Sequence, residues 1–242
     1  MTEIQGQVAI VTGASRGYGL GIARSLRRAG AEVWITGRDE KTLARAAEKH
    51  GLHACQADVT AADDWDRLFD RVLAKHDRLD ILVNNAGAGI RVAPLVEQTD
   101  DEVLRSIGLN LTGQIFGCRR AAQQMKQQRR GTIVNVASVC ARVAWPEWSV
   151  YSAAKAGMVQ FGKCLYAELR EHGVRVTTVM PSWGATDFLA VAELGGHDAE
   201  TAARCIQPDD MGAMIVQICE LPSHLAIQDV TLWPLVQTLD SL

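Results

Sequence analysis

Two short stretches of the chain carry residue types from which chemistry could be built. The first is YSAAK at 151–155, where Tyr151 and Lys155 stand four positions apart and share one face of a helix. An ammonium one turn from a phenol favours the ionised phenol. It draws a group that titrates near ~10 toward the range where a general acid/base works at neutral pH. Such pairs also occur on exposed helices with no role, so the meaning of this one depends on what the rest of the chain builds. A serine, Ser138 in the run VASVC, lies thirteen positions earlier.

The second stretch is TGASRGYGLG at 12–21, directly after the apolar run VAIVT. Glycines at 13, 17 and 19 permit a tight turn, close approach of the backbone to a phosphate, and tight packing of the next helix. That helix then presents free N–H groups and a positive dipole end to a pyrophosphate. The spacing is G-x-x-x-G-x-G rather than G-x-G-x-x-G. GASRG at 13–17 also fits G-x-S-x-G, the nucleophile elbow of α/β-hydrolases, with Ser15 as nucleophile. That elbow follows a central strand preceded by others, whereas here it falls within the first seventeen residues, so the context favours phosphate binding.

Strands and helices that would position these residues alternate along the chain. VAIVT (8–12), EVWIT (32–36), HACQA (53–57), DILVN (80–84), TIVNVA (132–137), VRVTTVM (174–180) and AIQDVTLW (226–233) read as strands. Helical patterns run over 20–29, 40–50, 63–76, 101–128, 151–172 and 209–220. The alternation predicts a single α/β domain over 1–242: a doubly wound, Rossmann-type parallel sheet of about seven strands with helices on both faces. A substrate-covering segment is expected near 187–207, and ligands at the carboxyl ends of the strands.

Bulk properties exclude several classes. The 242 residues are 48% hydrophobic and 22% charged with a net charge of −3, leaving no electrostatic footprint for nucleic acid or an anionic membrane. The basic run KQQRR at 126–130 ends a helical pattern, where cations complement the helix dipole. Six scattered cysteines without a CxxC pair read as reduced thiols of a cytoplasmic protein. The start, MTEIQGQVAIVTG, is not a secretory leader, and no apolar run approaches the ~18 residues needed to span a bilayer. All six histidines lie outside the motif loops. His50 and His53 lack acidic or thiol partners at ligand spacing, so no metal is expected.

Taken in order, the motifs resemble those of the short-chain dehydrogenase/reductase family over essentially the full length. They are Thr12-Gly13-x-x-x-Gly17-x-Gly19, Asp58 after strand three, Asn84-Asn85-Ala86-Gly87 after strand four, Asn110 in the long helix, Ser138, Tyr151 and Lys155, and Pro181 to Thr186 after strand six. The resemblance implies that Gly13, Ser15, Arg16, Gly17 and Gly19 surround the dinucleotide phosphates, with Tyr18 at the cofactor site as an aromatic lid over that loop. Asp58 and Val59 would meet the adenine, and Asn85, Ala86 and Gly87 would line the ribose. Pro181 opens the loop in which the Gly184 backbone and the Thr186 hydroxyl would hold the nicotinamide carboxamide. Two positions depart from the family pattern: Tyr18 stands where isoleucine is usual, and Ser182 where glycine is usual.

The implied reaction moves a hydride between a nicotinamide and a carbonyl carbon, so the carbonyl oxygen needs a proton. Tyr151 is the expected acid in reduction and base in oxidation. Lys155 and the cationic nicotinamide ring would lower its pKa, by ~3 units or about 4 kcal/mol. The resemblance also gives Lys155 the nicotinamide ribose hydroxyls, Ser138 the substrate oxygen, and Asn110 a water linking Lys155 to solvent.

At the end of strand two, where an NAD-selective enzyme places an acid, stands Gly37, followed by Arg38. Arg38, with Arg16 opposite, suits a 2′-phosphate. Asp39 lies beyond the turn and is expected to cap the next helix, so the cofactor expectation is NADP(H). Trp145, Trp148 and Trp183, with Cys140 and Val143, suggest an apolar wall for a compact apolar or aromatic carbonyl compound, or else core or interface packing. The family further implies a homotetramer or homodimer. Alternatives are a catalytically silent cofactor-binding regulator on the same fold and, more remotely, a serine hydrolase using Ser15.

Overall fold

The computed structural model describes residues 3–192 and 194–238. Seven strands, β1 (Val8–Val11), β2 (Glu32–Gly37), β3 (His53–Gln56), β4 (Ile81–Asn84), β5 (Gly131–Val136), β6 (Val174–Pro181) and β7 (Asp229–Leu232), form one sheet of order β3-β2-β1-β4-β5-β6-β7. Every neighbouring pair is parallel, with Ile10 opposite both Trp34 and Leu82. The order reverses between β1 and β4, which opens a crevice at their carboxyl ends.

Strands buried on both faces must be apolar on both, and these are. Ala9, Val11, Val33, Ile35, Val83 and Val134 face one core; Val8, Ile10, Trp34, Leu82 and Ile133 face the other. Helices α1 (Gly17–Arg28), α2 (Glu40–His50) and α9 (Pro208–Glu220) cover the first face through Ile22, Leu26, Leu43, Met211, Ile215 and Ile218. Helices α3 (Ala62–His76), α5 (Gly113–Gln128) and α6 (Ser149–Leu169) cover the second through Trp65, Leu68, Cys118, Met125, Met158 and Leu165. Burying each large aliphatic side chain contributes about 1.5–3 kcal/mol, so both layers are strongly held on the sheet.

The expected long helix 101–128 is two helices. α4 (Asp100–Ile107) opens with a capping box between Thr99 and Glu102, and a π-helical turn over Gly108–Thr112 joins it to α5. A wide turn of this kind shifts the phase of the following side chains, which periodicity in the sequence does not reveal. The last strand is also shorter than the run 226–233. Short helices α7 (Phe188–Val191) and α8 (Ala199–Arg204) occupy the segment expected to cover the substrate. Asp39 caps α2, its carboxylate accepting the Thr42 N–H at 2.7 Å. All six cysteines are free thiols, and no helix among the described residues is long and apolar enough to cross a membrane.

Candidate active site

A cleft of about 370 Å³ opens at the carboxyl ends of the strands, and every expected site residue except Gly19, Asn110 and the apolar-wall candidate Val143 lines it. Its floor is the turn between β1 and α1. Gly13 and Gly17 have φ of 62° and 55°, the left-handed region that favours glycine. A side chain at Gly13 would fall 2.8 Å from the Ala86 Cα, and one at Gly19 2.4 Å from the Gly13 carbonyl oxygen. The cradle therefore exists because side chains are missing, which fits it for a dinucleotide backbone pressed against main chain. Thr12 fixes the turn to the next loop: its hydroxyl accepts the N–H groups of Asn85 and Ala86, each at 3.0 Å.

Asn85 differs in detail from the expectation that it lines the ribose. Its side-chain amide donates to the carbonyls of Thr12 (2.9 Å) and Gly13 (3.3 Å), bracing the glycine turn, while the residue lines the cleft with Ala86 and Gly87. Asp58 spends one carboxylate oxygen on the N–H and hydroxyl of Thr60, while the Val59 carbonyl accepts the Trp65 indole. At the end of β2, a Cβ on Gly37 would sit at ordinary van der Waals distance, 3.5 Å, from its nearest neighbour, the Ser15 hydroxyl, so a side chain fits there without a clash. Arg38 is exposed beside it at the rim of the cleft. Arg16 lines the cleft too, but its guanidinium pairs with Asp187, at 3.3 Å, rather than turning toward Arg38. Ser15 has no histidine within hydrogen-bond reach among the described residues, so the hydrolase alternative lacks its base.

The proton-transfer residues gather where β5 ends. Ser138 follows β5, and its hydroxyl accepts the Cys140 N–H at 3.2 Å. Tyr151 lies in the first turn of α6 and Lys155 one turn on; both are buried, at 8% and 2% exposure. The Lys155 Nζ stands 5.7 Å from the Tyr151 ring centre and donates to the Val136 carbonyl at 2.9 Å.

Asn110 sits on the π-helical turn, wholly buried. Its amide donates to the carbonyls of Ala88 (2.9 Å) and Ser106 (3.1 Å), and its Oδ1 accepts the Ala88 N–H at 3.2 Å. Both amide hydrogens are therefore committed, and a lone pair of Oδ1 is what remains. Gly87 separates that oxygen from Lys155: a side chain there would lie 2.9 Å from Oδ1 and 3.2 Å from Nζ. The π turn thus clamps the loop after β4 against the lysine.

Burial dominates the electrostatics of the phenol and the ammonium. The Tyr151 phenol is raised above its ordinary value, first by burial and then by the nearby Cys140 thiol, with the Ser138 hydroxyl opposing. Burial also pushes Lys155 down to about 8. At 5.7 Å the lysine does not outweigh desolvation of the phenol. The protonated, donor form of Tyr151 is the favoured one here. Burial likewise pushes the Cys140 thiol up to about 11, so it is a neutral wall rather than a nucleophile.

Aromatic rings flank the phenol. Trp148 meets Tyr151 edge-on at 5.5 Å and stacks on Phe188, which approaches Tyr151 at 5.6 Å. Trp145 and Trp183 line the same cleft. Phe188 and His197 were not legible as site residues. His197 packs on Trp183 at 4.5 Å with its Nε2 buried and unpartnered, and only the covering segment brings either into the cleft. Gln237 braces the loop after β6 from outside the cleft: its side-chain oxygen accepts the Ser182 hydroxyl and, at 3.3 Å, the Trp183 N–H. This contact accounts for serine at 182, which ties the loop 181–186 to the C-terminal segment. Thr186 turns its hydroxyl to the Phe188 N–H at 3.3 Å.

The chain is similar to known proteins over most of its length. The sequence pattern of the family described as short chain dehydrogenase matches residues 7–194. An uncharacterized oxidoreductase of Staphylococcus saprophyticus is 32% identical over 97% of this chain and 100% of its own. A 3-oxoacyl-[acyl-carrier-protein] reductase of Synechocystis is 40% identical over 78% of each chain. Among solved structures, a metagenomic short-chain oxidoreductase in complex with NADP superposes with a TM-score of 0.82 at 32% identity, covering 96% of this chain and 99% of that one.

Proposed function

This chain belongs to the short-chain dehydrogenase family, and from that premise we propose that it is an NADP(H)-dependent carbonyl reductase or alcohol dehydrogenase. The observation that carries the reading is the meeting of Tyr151, Lys155 and Ser138 at the end of β5, in the same cleft as the glycine cradle. When bound, the nicotinamide supplies or accepts the hydride. Tyr151 holds the proton that the substrate oxygen takes up in reduction, and burial keeps that proton on the phenol until it is needed. Ser138 donates to the same oxygen and steadies its developing charge. Lys155 replenishes the proton on the solvent side, through a water shared with Asn110 Oδ1 across Gly87.

NADP(H) rather than NAD(H) is supported by Gly37 and Arg38 at the end of β2 and by Asp39, whose carboxylate is committed to the helix cap. The relative of known structure that carries NADP fits this choice. The ring cluster of Trp148 and Phe188 around Tyr151 supports a compact apolar or aromatic carbonyl compound as substrate. Exposed Leu95, Val96 and Leu104 before and within α4 support association of copies into a dimer or tetramer, and the free thiols support a cytoplasmic setting.

The test is to follow nicotinamide absorbance with NADPH and a panel of aliphatic and aromatic ketones and aldehydes, then NADP⁺ with the alcohols, with chirality of the products assigned. Turnover of aryl ketones supports the reading. NADPH binding without turnover of any panel member, in either direction, would favour the silent regulator instead.

A further inference from the structure

Three residues of α1, Tyr18, Gly21 and Ser25, stand at helical spacing, and each meets a segment from the C-terminal part of the chain. A Cβ on Gly21 would fall 2.2 Å from the Pro208 carbonyl oxygen, and one on Gly212 would fall 2.2 Å from the Ser25 hydroxyl. The start of α9 is therefore locked on α1. Tyr18 continues this ridge toward the cleft. A Cβ on Gly184 would lie 2.0 Å from the Tyr18 hydroxyl and 2.5 Å from its Cζ, so the phenol fills the space a side chain at 184 would need.

Gly184 is not among the glycines with positive φ, so its backbone does not demand glycine there; the neighbouring ring does. Residues 183–185 are also stitched to Ile206, through Ala185 N–H to the Ile206 carbonyl at 2.9 Å and Ile206 N–H to the Trp183 carbonyl at 3.0 Å. The Tyr18 hydroxyl faces that same Ile206 carbonyl at 3.5 Å, too long to hold the ring by itself. Packing, rather than the hydroxyl, sets its position.

We propose that Tyr18 and Gly184 are a size-matched pair that fixes the height of the loop 181–186 above α1, making Tyr18 a positioning residue for the nicotinamide end of the cofactor. This rests on the reading that the loop holds the nicotinamide. A spacer of this kind acts on one half of the dinucleotide. On the same reading the adenosine half is met by Arg38 and Asp58, whereas the three atoms nearest a Cβ on Gly184 all belong to Tyr18. Shifting a reacting group by about 1 Å lowers rate by about 10²-fold, so altering either partner alone should damage hydride transfer while leaving the adenosine end intact.

The experiment is a double-mutant cycle of Tyr18→Ile, Gly184→Val and the two combined. Each protein is assayed for kcat with NADPH and a ketone that the wild type reduces, and for binding of NADPH and of 2′,5′-ADP, which carries the adenosine half alone. Each single variant is expected to lose roughly 10- to 100-fold in kcat, with 2′,5′-ADP affinity held within about twofold. The combined variant, in which valine refills the space the ring vacates, should recover to within about fivefold of wild type, a strong departure from additivity between residues in contact. Three results would overturn the pairing: losses that simply multiply in the combined variant, single variants as fast as wild type, or 2′,5′-ADP binding weakened as much as NADPH binding. A wild type that binds no NADPH would instead defeat the cofactor reading, and the pairing with it.

Discussion

Lys155→Met offers a prediction whose size can be worked from the site. The Lys155 ammonium is buried, and desolvation brings its pKa from 10.5 to about 8. Between about pH 8 and 10.5 the unfolded chain keeps this proton while the folded protein has released it. Unfolding then takes up a proton, so wild-type stability rises with pH across that window and carries the full penalty below it. The gap corresponds to about 3 kcal/mol at roughly 1.4 kcal/mol per pH unit. Methionine fills similar volume without charge but gives up the bond from Nζ to the Val136 carbonyl, worth about 1 kcal/mol. The variant should therefore be more stable than wild type by about 2 kcal/mol at pH 7, raising Tm by roughly 5 °C, and should lose that advantage by pH 10.5. Tyr151 and Cys140, the titrating neighbours, are present in both proteins. The assay is thermal or urea unfolding of cofactor-free protein at intervals from pH 7 to 10.5, with turnover measured alongside. A variant less stable than wild type at pH 7, or a difference that does not change with pH, would refute the assignment of a costly buried ammonium.

The remaining predictions concern the reacting end of the cleft. Tyr151→Phe keeps the ring against Trp148 and Phe188 and removes the proton, so turnover should fall by about 10²-fold or more with NADPH affinity within about twofold; direct titration and steady-state rates check this. Trp145→Ala and Trp183→Ala should lower the preference for bulky aryl ketones over small ones, read as ratios of kcat/KM, and an unchanged ranking in both would remove the apolar-wall account.

Much of the fold was legible because parallel strands buried on both faces are rich in apolar and β-branched residues, as VAIVT, DILVN and VRVTTVM are. The glycine turn and the Tyr151–Lys155 pair were legible because their chemistry requires fixed local spacing. What escaped depends on contacts across the chain. The π-helical turn at 108–112 keeps a helix-like pattern, so nothing in the spacing marks where Asn110 changes phase. Asn85 bracing the glycine turn needs the register of β1 against β4. The upward direction of the Tyr151 pKa depends on how completely the phenol is desolvated, which the i, i+4 spacing does not carry. His197 reaches the cleft, and Gln237 the loop behind it, only through the covering and C-terminal segments, where the sequence has no periodicity to read.

The central claim, an NADP(H)-linked oxidoreductase that selects its cofactor at the end of β2, is tested most directly by kcat/KM for NADPH and for NADH in wild type and Arg38→Ala. Charge-assisted hydrogen bonds from Arg38 to a 2′-phosphate predict that wild type prefers NADPH by roughly 10- to 100-fold. The alanine variant should lose most of that preference by weakening toward NADPH alone. Equal or better use of NADH by the wild type would contradict the account.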